Sequence, residues 1–236
     1  MIAGLTPLST ADYPGCLSIV LYSGGCPWRC GYCHNAHLLK ADSTSAIDWH
    51  DVLNFLERRR GLVDAVVFSG GEPTLQRTLP AMVSEVRAMG FKIGLHTSGA
   101  YPKRLGAILP EVDWVGMDIK APFEDYASIT NVPGSGKAAA ISAGLVLNSG
   151  VDYEFRTTVH QKLLNIGKIR EIAETLAGMG ATHYRVQEFR PKGCLDEALL
   201  REPGTDVGEN LSALLENLFP MRLQQSASPS FSRNRS

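Results

Sequence analysis

At 236 residues, 44% of them apolar, the chain holds material for one large domain or two small ones, with an ample core. A formal charge of −1 leaves no whole-protein field that would draw it to nucleic acid or to an anionic membrane. Its apolar runs are strand-length, far below the roughly 20 residues of a membrane span, and Met1 to Cys16 lacks the basic start and long apolar stretch of a secretory leader.

Met1 to Gly15, rich in Thr, Pro, Ser and Gly, reads as an extended lead-in. Leu17 to Ser23 is a short apolar run with β-branched residues and reads as a buried strand, broken by Gly24-Gly25. Asp48 to Arg60 has helical periodicity, with Trp49, Val52, Leu53 and Leu56 on one face and Gly61 after it. Asp64 to Phe68 is the second strand; Leu79 to Met89, with Pro80 in its first turn, is a helix. A strand at Phe91 to Leu95, a short helix at Lys103 to Leu109 and a strand at Asp113 to Met117 follow. Phe123 to Gly136, with Pro133, Gly134 and Gly136, reads as a loop or broken helix, Lys137 to Asn148 as a helix and Tyr153 to Val159 as the fifth strand. Asn165 caps a helix with Ile166, Ile169, Ala173 and Leu176 on one stripe, and His183 to Phe189 is the sixth strand. Asp206 with Glu209 forms a capping pattern for a last helix bearing Leu211, Leu214, Leu215 and Leu218. From Gln224 the chain is Ser-rich without a core pattern; a disordered tail is expected there, and residues 1–223 are expected to be one domain.

Strand and helix thus alternate about six times, which requires parallel pairing through crossover helices. Six units fall short of the eight of a closed barrel, so the expected fold is α/β, an open partial (β/α)6 barrel, with a doubly wound sheet as the alternative.

The densest chemistry follows the first strand. Cys26, Cys30 and Cys33, spaced C-x3-C-x2-C, are three of the five cysteines in the chain. An odd count crowded into one loop is a metal pattern, not a disulfide framework, and points to a reducing, cytoplasmic setting. Thiolates suit iron–sulfur clusters, zinc and copper(I). A four-iron cluster takes one cysteine per iron. Three cysteines leave one iron open, and an open coordination position is what a catalytic metal site keeps. A zinc knuckle completed by His34 or His37 is the competing reading. The loop lies at the C-terminal end of a strand, the face where parallel barrels carry their sites.

With the aromatic Tyr32 before its last cysteine, this loop resembles the signature of the radical SAM enzymes. Tyr32-Cys33-His34-Asn35 resembles the form found in activases of glycyl radical enzymes, and the resemblance runs from about Leu5 to Arg190. It implies a [4Fe–4S] cluster on Cys26, Cys30 and Cys33, with S-adenosylmethionine chelating the open iron through its amino nitrogen and carboxylate oxygen. It also implies an external low-potential electron donor such as flavodoxin or ferredoxin, and a glycyl radical enzyme as partner. Asp12-Tyr13-Pro14-Gly15 lies where related activases carry Asp-Gly-Pro-Gly and points to anaerobic ribonucleoside-triphosphate reductase as that partner, with Tyr13 as the departure.

Three polar stretches at strand ends complete the expected pocket. Gly70-Gly71-Glu72 combines glycines, which let a ligand approach the backbone, with a carboxylate suited to an ammonium group; the resemblance gives it the amino group of S-adenosylmethionine. Thr97-Ser98-Gly99 resembles the Asp-Thr-Asn-Gly of related activases, which implies ligand contacts for Thr97 and Ser98; His96, in place of the Asp, is read as a polar wall. Asp118 and Lys120 point the same way by period-two alternation and match an Asp-x-Lys that faces the zwitterionic end of the ligand. Tyr32 belongs to the same pocket. Arg156 is read as a carboxylate ligand or an internal ion pair, His160 as structural, and Cys194 as lying near the mouth. Two other functions compete. One is a radical SAM enzyme acting on a small molecule, such as a 7-carboxy-7-deazaguanine synthase, whose Trp-Cys-Asp differs from Tyr32-Cys33-His34 here. The other is a non-catalytic electron carrier, which would need no polar pocket beside its cluster.

Overall fold

In a computed structural model that describes residues 1–40, 46–201 and 208–219, seven strands form one sheet in chain order. They are β1 (Ile2–Ser9), β2 (Ser18–Ser23), β3 (Ala65–Gly70), β4 (Lys92–Thr97), β5 (Trp114–Asp118), β6 (Asp152–Val159) and β7 (Tyr184–Glu188). Strands β2 to β7 are parallel, from Ser18 beside Ala65 to Val159 beside Glu188. Parallel neighbours need crossovers. These carry α1 (Trp49–Glu57), α2 (Leu79–Ala88), α3 (Pro102–Ile108), α4 (Tyr126–Thr130), α5 (Ser135–Asn148) and α6 (Ile166–Gly178); α7 (Glu197–Leu200) and α8 (Gly208–Leu218) follow β7. A doubly wound sheet reverses its strand order part-way. This order never reverses, so the fold is the open six-unit barrel with one extra strand.

That extra strand is the first departure from expectation. The supposed lead-in forms β1, antiparallel to β2 from Ile2 beside Ser23 to Ser9 beside Ser18. Gly4 and Pro7 conceal it in the sequence. An edge strand tolerates proline because one side of it has no ladder to serve, and the register slips between Thr6 and Ser9, around Pro7. Of the two readings for Phe123 to Gly136, loop or broken helix, the structure has the broken helix: α4 ends at Asn131, whose φ is 56°, and α5 resumes at Ser135. At the caps, Asp48 accepts from the His50 N–H at 2.8 Å and Asn165 from the Lys168 N–H at 3.0 Å. The expected cap at Asp206, the side chains of Glu209 and Leu211, and the tail from Gln224 lie outside the described residues. Leu214, Leu215 and Leu218 of α8 pack against the core as their spacing implies.

Successive strand residues face opposite ways. One face carries Ile19, Leu21, Val66, Phe68, Ile93, Leu95, Val115 and Met117 against helical residues such as Leu56, Val86, Leu105, Ala143 and Ile172. The other face lines the barrel interior, where Val20, Ala65 and Val67 cluster with Tyr13 and Trp114. A Cβ at Gly94 would lie 2.9 Å from Val67 Cγ2 and 3.1 Å from Tyr13 Cδ2; one at Gly116 would lie 2.5 Å from Arg156 Nη2 and 2.7 Å from Trp114 Cη2. Those two glycines leave the room that Tyr13, Trp114 and Arg156 fill. Tyr13 packs on Trp114 with ring centroids 5.5 Å apart. The loop before β2 thus forms the floor of the barrel.

Tyr13→Gly, which would restore the Asp-Gly-Pro-Gly pattern, should therefore destabilise the chain. Emptying a buried aromatic site costs about 3–5 kcal/mol, and glycine adds backbone freedom to the unfolded state. Denaturant unfolding of the metal-free protein measures the loss.

Candidate active site

Above the floor a cavity of about 740 Å³ opens at the C-terminal ends of the parallel strands. Its walls gather Cys26, Cys30, Tyr32 and Cys33 from the loop after β2, Gly70 and Gly71 from the end of β3, Thr97 and Ser98 from that of β4, Asp118 and Lys120 from β5, and Arg156 from β6. Sequence reasoning missed Asp12, Asn35, Arg185 and Arg190, which line the same cavity. Arg185 comes from β7, whose residues from Arg185 to Glu188 all border the cavity because the strand stands at the open end of the sheet.

The cysteine loop is seated on its neighbours by backbone contacts. Gly71 N–H donates to the Ser23 carbonyl and Glu72 N–H to the Gly25 carbonyl, both at 2.9 Å. A Cβ at Gly70 would lie 2.3 Å from Ser23 N and one at Gly71 2.1 Å from the Gly25 carbonyl oxygen, so only glycine lets the two loops touch. The three thiols are half-buried and unbridged. Burial pushes Cys26 up to about 11 and lifts Cys30 and Cys33. All three are protonated at neutral pH in the metal-free chain, so ligation has to release protons. Among the described residues no three His, Cys, Asp or Glu side chains converge as donors to one ion. A four-iron cluster asks for spread donors, one thiolate per iron, and a single loop with three thiols supplies that set.

Glu72 does not line the cavity. It is fully buried behind the wall. Its Oε1 accepts from the Thr74 N–H at 3.1 Å, the Thr74 hydroxyl at 2.6 Å and the Thr97 hydroxyl at 2.8 Å; its Oε2 accepts from the N–H of Ser98 at 2.8 Å and from the Ser98 hydroxyl. The reading of Glu72 as a ligand for an ammonium group therefore needs correction: its acceptor sites are already taken. The Thr97 and Ser98 hydroxyls are likewise turned to Glu72, so these residues offer the cavity their outline and backbone.

Asp118 and Lys120 do share a side, as alternation required. Lys120 Nζ lies 3.2 Å from Asp118 Oδ2, and Arg156 Nε lies 3.7 Å from Oδ1. Desolvation alone would raise the Asp118 carboxyl; the two cations outweigh it and hold it below the usual carboxylate value. Burial works against the Lys120 charge as well, yet the neighbouring Tyr32 and Asp118 side chains raise the ammonium well above its ordinary value. Its Nζ stands 5.4 Å over the Tyr32 ring. The Asp118 carboxylate is still 42% exposed to the cavity, which leaves a charged pair open to a zwitterion.

His96 is a wall residue. Its Nε2 donates to the Asp12 carbonyl at 2.9 Å, and with burial and the Arg156 guanidinium keeping the imidazole neutral, its Nδ1 accepts from the Ser69 hydroxyl at 3.4 Å. Cys194 is buried, with its thiol donating to the Gly31 carbonyl at 3.4 Å, and it is absent from the cavity wall. His160 is buried behind Phe189, its Nδ1 accepting from the Lys162 N–H at 3.3 Å.

Residues 20–176 match the family model of the Radical SAM superfamily. The chain belongs to that superfamily. Its cofactors are those of radical SAM proteins, a [4Fe–4S] cluster and S-adenosylmethionine. A Methanocaldococcus jannaschii protein named for glycyl-radical enzyme activation is 29% identical over 213 residues, 86% of this chain and 85% of the relative. An S-adenosylmethionine-dependent nucleotide dehydratase of a Thermoplasmatales archaeon is 34% identical over 101 residues, 41% of this chain and 34% of that protein. Among solved radical SAM folds, anSMEcpe with bound AdoMet superposes with a TM-score of 0.61 at 18% identity; the match covers 84% of this chain and 57% of that one.

His96 gives this radical SAM chain a pH-dependent stability. Burial first, and the Arg156 guanidinium second, push its imidazole down to about 4. An unfolded histidine titrates near 6.5, so the unfolded state takes up a proton first. Stability is whole above about pH 6.5 and is lost as the pH falls toward 4, by about 2 kcal/mol at pH 5. His96→Gln should flatten that part of the curve. Urea unfolding of the metal-free protein at pH 5 and 7.5 reads the difference.

Proposed function

We propose that this chain is the activase of a glycyl radical enzyme, with anaerobic ribonucleoside-triphosphate reductase as its partner in a reducing cytoplasm. The observation that carries the activase reading is the match across most of both chains with the Methanocaldococcus jannaschii protein named for that activity; the reductase as partner rests on the likeness of Asp12-Tyr13-Pro14-Gly15 to the Asp-Gly-Pro-Gly of related activases. The geometry suits it. Asp12 and Tyr22 line the cavity near one sheet edge and Arg185 and Gln187 line it on the other, and strands β1 and β7 stand at opposite ends of the sheet order. A protein loop needs such an opening if its glycine is to come within about 3–3.5 Å of the reacting carbon.

In this reading Cys26, Cys30 and Cys33 hold the cluster. When bound and given one electron by a low-potential donor such as flavodoxin or ferredoxin, cluster and S-adenosylmethionine would supply the radical chemistry that takes a hydrogen atom from the partner's glycine. The chain's own residues bind and orient. Lys120 takes the ligand carboxylate and Asp118 faces its ammonium group, while Gly70 and Gly71 let the ligand approach the backbone. Thr97 and Ser98, fixed by Glu72, and the Tyr32 ring shape the wall. The protein's part is ligation, orientation and exclusion of water.

Two measurements test this. Anaerobically reconstituted, reduced protein mixed with S-adenosylmethionine and the reductase of the same organism should yield a glycyl radical doublet in the paramagnetic resonance spectrum; Cys26→Ala, Cys30→Ala or Cys33→Ala should abolish it. Silence from glycyl radical candidates, with turnover on a nucleotide instead, would favour the small-molecule reading that the dehydratase match supports. Lys120→Gln should keep the cluster and weaken S-adenosylmethionine binding by about 1.5–3 kcal/mol, the worth of a charge-assisted contact. Equilibrium binding to the reconstituted variant checks it, and an unchanged affinity would remove Lys120 from the site.

A further inference from the structure

One short helix touches both halves of the site. Tyr126, the first residue of α4, is fully buried. Its phenol oxygen sits between two peptide groups at the end of β5, accepting from the Lys120 N–H at 3.0 Å and donating to the Asp118 carbonyl at 3.3 Å. The other end of α4 grips the cysteine loop. The Thr130 carbonyl accepts the Arg29 N–H at 2.9 Å, and the Asn131 side-chain amide donates to the Arg29 carbonyl at 2.7 Å. Between these ends the Tyr126 ring meets Trp28 edge-on, with centroids 5.6 Å apart. Asn131 holds a left-handed φ of 56°, which asparagine tolerates better than most residues.

We propose that Tyr126 is a positioning residue of the S-adenosylmethionine site, through which α4 holds the Lys120 ammonium and the cysteine loop in one register. The inference rests on the roles given above to Lys120 and the three cysteines. Lys120 is fixed at both ends: its N–H by Tyr126, its ammonium between Asp118 and the Tyr32 ring. Removing the phenol oxygen alone leaves a buried N–H without that acceptor, and relief comes by shifting the end of β5. The ring and its packing on Trp28 stay. Cluster and ligand would then both be present but misaligned.

The test is a double-mutant cycle on anaerobically reconstituted protein. Its readouts are S-adenosylmethionine affinity and the paramagnetic resonance spectrum of the reduced cluster. Tyr126→Phe should retain iron, weaken S-adenosylmethionine by about three- to tenfold, and reduce the spectral change that the ligand causes. In a Lys120→Gln background the same substitution should have less than half that effect, because Tyr126 acts through Lys120. Equal losses in both backgrounds, or no loss in either, would overturn the proposal. Asn131→Gly keeps the backbone conformation and removes the amide; it should speed iron release to a chelator several-fold, and an unchanged rate would overturn the grip at that end. Wild-type protein that holds its cluster yet binds no S-adenosylmethionine would sink the site assignment and the positioning role together. That result is distinct from the failure of the inference alone, in which wild type and Tyr126→Phe bind alike.

Discussion

A carboxylate surrounded by neutral donors holds the strand ends together. Glu72 is buried, and a buried charge is costly unless it is hydrogen-bonded. Here backbone N–H groups and hydroxyls from Thr74, Thr97 and Ser98 supply the bonds. Hydrogen bonds to a charged group are worth about 1.5–3 kcal/mol each, so the set fixes the end of β4 to the turn after β3. That turn in turn seats the cysteine loop through Gly70 and Gly71. Most of what the cavity presents, from thiols to the wall at Ser98, is placed relative to this one buried group.

The rest of the interior is a matter of filling the barrel unequally. Below, Tyr13, Trp114 and the Arg156 guanidinium occupy space that Gly94 and Gly116 vacate. Above, little is packed, and polar residues line what remains. Arg156 links the two levels: its guanidinium lies 5.8 Å over the Trp114 ring and its Nε faces Asp118. The cation that completes the floor's packing also offsets the carboxylate at the mouth. Asp118, held by Lys120 and Arg156 together, needs no further cation to stay ionised.

How much of this was legible depended on which signal each part left. The strands β2 and β3, buried on both faces, leave apolar runs closed by glycine, and β6 and β7, though less buried, keep enough β-branched and aromatic residues that all six parallel strands could be read in order. The cysteine spacing and the Asp118/Lys120 alternation are also one-dimensional, and they met in one cavity. Edge strand β1 was hidden because Pro7 and Gly4 suit an edge yet look like loop. Around α4 the reading stayed open between loop and broken helix, because five residues give no helical period and the nearby Pro133 and Gly134 argue for a turn. Glu72 was read by its charge, which suited an ammonium group. What turned it inward was the set of hydroxyls at positions 74, 97 and 98, a three-dimensional coincidence that spacing does not reveal. Tyr13 looked like an odd substitution in a short motif; its ring packs on Trp114 and fills space left by Gly94 on another strand.

The sheet begins at β1 and stops at β7 without joining them. Each terminal strand is held by a ladder on one side only, to β2 and β6 respectively. In a closed ring, widening the mouth strains every ladder at once. In this C-shaped wall, β7 shares a seam with β6 alone, and the segment just beyond it reaches across to the cysteine loop: Phe189 packs on His34 with ring centroids 5.7 Å apart, and the Cys194 thiol donates to the Gly31 carbonyl. Widening the mouth on that side therefore pulls on the loop that carries the thiols, so the gape of the wall and the seating of the cluster ligands are mechanically linked.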